Sequence, residues 1–198
     1  MGFYDPEEID PSLIEHGPES DLYVSFVATK LEVLTQDYRQ ALDYYTKASD
    51  LRPKYHVVWR NLADCYAILG DTKRATETYG KAAESLSAAL QINPRPADDW
   101  IYLAFYHAKL GRTAESEADL TTASEKGTAS LHAQLVKAEA LALQGRKEEA
   151  LSLVLAGLDH GLSTVDVELA LDLKEVRADA RYRRRIAQIG QQKPANQQ

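Results

Sequence analysis

Trp59 opens the run Trp59-Arg60-Asn61-Leu62-Ala63-Asp64-Cys65-Tyr66, and Gly70 follows it. Trp100 opens Trp100-Ile101-Tyr102-Leu103-Ala104-Phe105-Tyr106-His107, and Gly111 follows. In both copies a Leu stands three residues after the Trp, an Ala four after, a ring seven after and a Gly eleven after. Apolar residues at those offsets lie on one face of a helix. A Gly just past the last turn supplies the left-handed residue with which helices end. A pattern of this kind, met twice, predicts a chain of repeated helical units. Each unit is too small to bury its apolar face alone and must stack on its neighbours.

The two runs resemble the first helix of a tetratricopeptide repeat, whose pattern is Trp-x2-Leu-Gly-x2-Tyr and later Ala-x3-Phe and Pro. The family's repeat is 34 residues, whereas Trp59 and Trp100 are 41 apart. Seven extra residues are about two helical turns, which lengthens a helix with little rotation of its buried face. They fit inside Lys73–Asn93, where Ala75 and Tyr79 keep the second-helix pattern and Asn93-Pro94 closes it. One continuous helix is therefore expected from about Thr72 to Gln91. Tyr38, Ala41, Tyr45, Ala48 and Pro53 match the second helix of an earlier copy, whose first helix, at about 21–35, has Ser25 in the Trp place. Ala138, Gly145, Ala150 and Gly157 mark a later copy, with Gln134 in the Trp place.

The expected fold is therefore all-α: a right-handed superhelix of about four helix pairs plus a C-terminal capping helix. The array spans 21–164, with repeats at about 22–55, 56–96 (with the lengthened second helix), 97–130 and 131–164. Ala and Leu supply 53 of the 198 residues, against seven Pro and ten Gly, which suits helices. Aromatic residues such as Trp59, Tyr66, Tyr79 and Trp100 are expected between repeats as packing.

Residues 1–20 carry six acids and no Lys or Arg, and they include Pro6, Pro11 and Pro18. They read as an acidic, mostly extended leader. The net charge of −7 sits almost wholly there, so the body is near neutral and does not suit nucleic acid. Residues 165–190 read as a helical cap, in which Val167, Leu169, Leu171, Leu173 and Val176 cover the last repeat. Residues 191–198 read as a disordered tail. No run of about 20 apolar residues exists, so no direct membrane insertion is expected. Nor does an apolar core follow the acidic start, so no signal peptide is expected. A soluble, cytoplasmic chain is favoured, and a periplasmic one remains open if it is part of a membrane-anchored protein.

The lengthened helix ending in Ile92-Asn93-Pro94, the run from Leu103 to Gly111, and the segment from Asp172 to Tyr182 carry a closer resemblance. They are similar to the C-terminal repeat regions of bacterial receptor-type serine/threonine kinases and adenylate cyclases. Those regions often end in Leu-x-x-Leu-Arg-x-Asp-Pro-Arg-Phe. Here Val176 replaces the second Leu, Ala180 the Pro and Tyr182 the Phe. The resemblance implies a soluble piece of a longer signalling protein, acting as its sensory or docking region.

No catalytic motif is present, so no enzyme is expected: there is no phosphate loop, no GxSxG and no kinase signature. His16, His56, His107, His132 and His160 are scattered, and Cys65 stands alone, which gives no metal site. No cofactor is implied. Arg177, Arg181, Arg183, Arg184, Arg185 and Lys193 form a basic segment. It reads as a solvated cap helix whose arginines favour the negative, C-terminal end of the helix dipole.

Binding remains. In the resembled family, first-helix side chains line the concave face. Those places hold Tyr23, Phe26 and Lys30; Arg60 and Asp64; Ile101 and Phe105; Leu135 and Glu139. Chaperone-tail clamps of that family use Lys, Asn and Arg there. Only Lys30 and Arg60 are basic here, so such a clamp is not expected. Phe26 and Phe105 are expected as exposed aromatic anchors for a peptide or protein partner, and Arg60 and Asp64, one turn apart, as a pair a ligand can open. The rival readings are a self-associating structural adaptor, a homo-oligomer that sedimentation would reveal, and an enzyme hidden in the groove, which turnover assays would reveal.

Overall fold

A computed structural model describes residues 38–92 and 96–192. The acidic leader, the first helix of the first repeat, the Asn93-Pro94 closure and residues 193–198 lie outside them. Among the described residues every regular element is helical, and there is no strand. No helix there is long and apolar enough to cross a membrane. The chain divides into two compact units, Met1–Leu86 and Ser87–Gln198.

In the first unit α1 (Tyr38–Leu51) and α2 (His56–Ile68) pack as a pair. Ala41 and Tyr45 of α1 bury against Leu62 and Cys65 of α2, flanked by Leu42, Tyr44, Trp59 and Tyr66. Ala48 and Val58 make a second cluster under Tyr44 and Tyr55. The small residues let the helix backbones approach, and the rings fill the gaps beside them. Cys65 is buried, in no disulfide, and packs as a small side chain. Trp59 is pinned rather than simply buried: its indole Nε1 donates to the Pro53 carbonyl at 2.8 Å, and the Lys81 ammonium lies 4.7 Å from its ring centroid.

The next helix, α3 (Thr72–Ile92), is 21 residues long and is not interrupted at Gly80. Asp71 starts it, accepting the Arg74 amide at 3.0 Å, as a helix-capping carboxylate does. Ser85, within the extra two turns, donates to the Lys54 carbonyl at 2.7 Å. The added length is therefore anchored on the turn between α1 and α2.

In the second unit α4 (Ala97–Lys109) packs against α5 (Thr113–Lys126) and α6 (Leu131–Leu143), and α6 packs against α7 (Lys147–Asp159). Ser116 of α5 donates to the Ala104 carbonyl of α4 at 2.7 Å, and Gln144, just after α6, donates to Ser116 Oγ at 2.8 Å. One buried polar chain thus links three successive helices. The Gly111 turn closes by two bonds, from Arg112 N–H to the His107 carbonyl (2.8 Å) and from Gly111 N–H to the Ala108 carbonyl (3.0 Å). Gly111 has φ 70°, which a side chain would strain. The same two bonds recur at Gly70 and Gly145. Gly111 and Gly145 are 34 residues apart and Gly70 and Gly111 are 41 apart, so of these two periods the long one is that of the α3 repeat.

The cap consists of α8 (Thr164–Leu169), a single 3-10 turn at Leu171–Leu173, α9 (Lys174–Ala178) and α10 (Ala180–Gln192). The turn packs on α6, and α9 and α10 touch α7. Val167, Leu173 and Val176 are buried, as a cap requires, but Leu169 and Leu171 are 41% and 37% exposed. The helical path breaks at Ala170, which has an extended backbone, and this turns those two leucines away from the core. Arg177 holds the break together by donating to the carbonyls of Val167 and Ala170.

Candidate functional site

The candidate site residues lie on the first helices of the repeats, in each unit separately. Tyr23, Phe26 and Lys30 lie outside the described residues. In the first unit, Arg60 and Asp64 come together on α2, with Nε and Oδ2 3.6 Å apart. Their side chains keep 14% and 17% exposure. Asp64 is also held from α3, because the Tyr79 hydroxyl donates to Oδ1. The Nε–Oδ2 distance is longer than a hydrogen bond, while the Tyr79–Asp64 bond is made.

In the second unit, Ile101 and Phe105 on α4 and Leu135 and Glu139 on α6 are all buried. Phe105 is 0% exposed, which corrects the expectation of an open aromatic anchor at that place. The reason is geometric: α4 is packed against α5 and α6, and α6 against the cap turn as well. The Phe105 ring meets Tyr106 edge-on at 5.8 Å, and the Lys109 ammonium stands 5.3 Å from the Phe105 centroid.

Two buried polar pairs here escaped the sequence. His107 Nδ1 lies 2.7 Å from Asp119 Oδ2 across the α4–α5 turn. Lys109 Nζ lies 2.9 Å from Asp172 Oδ1 and 2.6 Å from Oδ2. The first joins residues only 12 apart, on two helices that share one tight turn, so it lay within reach of a local reading. The second joins residues 63 apart and leaves no local signal.

The basic segment is differently used than expected. Arg181, Arg183, Arg184 and Arg185 lie in the first half of α10, so the C-terminal end of its dipole does not account for them. Instead Arg181 binds Glu148 through both Nη atoms at 2.9 Å and also binds Asp179. Asp179 starts α10, accepting the Arg181 amide at 2.8 Å. Hydrogen bonds from the Arg181 guanidinium and amide bring its carboxyl down to about 2. Arg185 pairs with Asp159 at 2.8 Å. The Tyr182 hydroxyl donates to Glu168 at 2.7 Å, and burial, then that bond, push its ionisation well above the ordinary tyrosine value.

Among the described residues no three metal-ligating side chains come together. A family model described as tetratricopeptide repeat matches residues 33–95 and 103–161. No curated protein matches the sequence. Solved structures do. The crystal structure of YrrB, described as a TPR protein with an unusual peptide-binding site, is 20% identical, over 90% of this chain and 87% of that chain, with a TM-score of 0.43. A tetratricopeptide repeat protein from Parabacteroides merdae ATCC 43184 is 19% identical, over 90% and 67%, with a TM-score of 0.45. The APC/C hetero-tetramer Cut9–Hcn1 is 16% identical, over 94% of this chain and 35% of that chain, with a TM-score of 0.53. At that score the likeness to Cut9–Hcn1 supports the helical-repeat fold.

Proposed function

The chain belongs to the tetratricopeptide repeat family, and we propose from this that it is a non-enzymatic interaction module that binds a protein or peptide partner on its first-helix face. The observation that carries the reading is the Arg60–Asp64 pair. The two side chains lie one turn apart, Nε and Oδ2 at 3.6 Å, and keep 14% and 17% exposure on the first-helix face of that repeat. Tyr79 keeps Asp64 hydrogen-bonded when Arg60 turns away. A carboxylate on the partner then takes Arg60 while the Tyr79 hydroxyl still donates to Asp64. The partner class is therefore a peptide or protein with an accessible acidic group.

The test is selection of a displayed random-peptide library on the whole chain. Peptides enriched on the wild type, rich in Asp or Glu, and lost on Arg60→Ala support the reading. Enrichment that Arg60→Ala leaves unchanged removes it.

The finer likeness to kinase and cyclase repeat regions stays a proposal as well. It rests on the Asp172–Tyr182 sequence alone, where Val176, Ala180 and Tyr182 stand in the motif's Leu, Pro and Phe places. Sequence upstream that encodes a kinase or cyclase and a membrane span is the observation that tests it.

A further inference from the structure

The contact between Lys109 and Asp172 has a composition that packing alone does not require. Both side chains are nearly enclosed, at 10% and 13% exposure. Removing two charges from water is expensive, and a well-packed apolar pair would hold a cap at least as well. The geometry is also that of a ligand in a site. Lys109 ends a first helix, α4, with its ammonium 5.3 Å from the Phe105 ring centroid and 2.6 Å from the Asp172 carboxylate. Asp172 arrives on the Leu171–Leu173 turn, with Leu173 buried beside α6 and Leu171 facing water. The turn sits between two helices of six and five residues, too short to persist by themselves. Segments of that kind open at lower free energy than the helices they cover.

We propose that Lys109, with Phe105 beside it, is a binding position for an acidic peptide, and that Asp172-Leu173 is its resident occupant. The ligand is an extended segment with a carboxylate followed by an aliphatic side chain, which takes the places of Asp172 and Leu173. This deepens the interaction-module reading and rests on it, but it concerns a different residue set from Arg60 and Asp64. Because the occupant is part of the same chain, a partner binds with its intrinsic affinity reduced by the fraction of molecules with the turn open.

The test uses the full chain and a fluorescein-labelled peptide of the cap's own sequence, residues 170–176 (Ala-Leu-Asp-Leu-Lys-Glu-Val), with an Asn version as control. Fluorescence anisotropy should show at least tenfold tighter binding of the Asp peptide to Asp172→Asn than to the wild type. The double variant Asp172→Asn, Lys109→Met should lose that gain, and the Asn peptide should bind neither. On the wild type, saturating Asp peptide should raise hydrogen exchange in residues 170–176, a readout that needs no variant to fold. Equal binding to wild type and Asp172→Asn, binding that survives loss of Lys109, or unchanged exchange at saturation would each overturn the proposal. Library peptides that depend on Arg60 but not on Lys109 would leave the interaction-module reading standing while this one falls.

Discussion

His107 Nδ1 lies 2.7 Å from Asp119 Oδ2, tying α4 to α5 across the Gly111 turn. Counted 41 residues back, the two positions are Tyr66 and Thr78, so this titratable pair has no counterpart in the sequence of the repeat before. A carboxylate only accepts, so Nδ1 carries the proton and the pair is directional. Asp119→Ala leaves a nearly buried imidazole donor unmatched, which costs about 1–3 kcal/mol. Asp119→Asn keeps an acceptor and should lose less. Urea unfolding of the three chains checks the order.

Tyr182 gives the account its pH dependence. Burial, helped by the bond to Glu168, raises its ionisation above the unfolded value of about 10. Above that pH the unfolded chain releases the proton and the folded chain keeps it. Stability from this group is therefore complete below about pH 10 and declines as pH rises past it. Tyr182→Phe, which loses the hydrogen bond, should cost about 1–2 kcal/mol at pH 7. The gap between the two chains should narrow above pH 10 in unfolding measured from pH 7 to 11.

Two glycines should respond oppositely to alanine. Gly80 lies inside α3 with open space where a Cβ would go, so Gly80→Ala should stabilise by about 0.5–1 kcal/mol. Gly111 has φ 70°, and Gly111→Ala should destabilise by about 1 kcal/mol. Thermal melts followed by circular dichroism decide both signs.

The repeat grammar was legible because it is local. Trp59 and Trp100 with their following Leu, Ala and Gly report helix faces and helix ends, which depend on neighbours within a few turns. The length of α3 was legible for the same reason. What stayed hidden depends on tertiary enclosure. Phe105 carries the pattern of a groove residue, yet its exposure is set by α5 and α6, whose packing no residue near position 105 encodes. The exposure of Leu169 and Leu171 follows from a single extended residue, Ala170, inside a segment that reads only as part of a helical cap. The pairing of Lys109 with Asp172 needs the whole repeat between them to fold first.

The central claim is that a first-helix face, and not the basic helix α10, takes the partner. Titration calorimetry of one library-selected acidic peptide tests it against the wild type, Arg60→Ala and the double variant Arg183→Gln, Arg184→Gln. Loss of a charge-assisted contact of about 1.5–3 kcal/mol predicts at least tenfold weaker binding to Arg60→Ala. The arginine double variant should stay within about twofold at 150 mM salt, where exposed charges are largely screened. Binding unchanged by Arg60→Ala and abolished by the α10 variant would contradict the account and assign the partner to the cap.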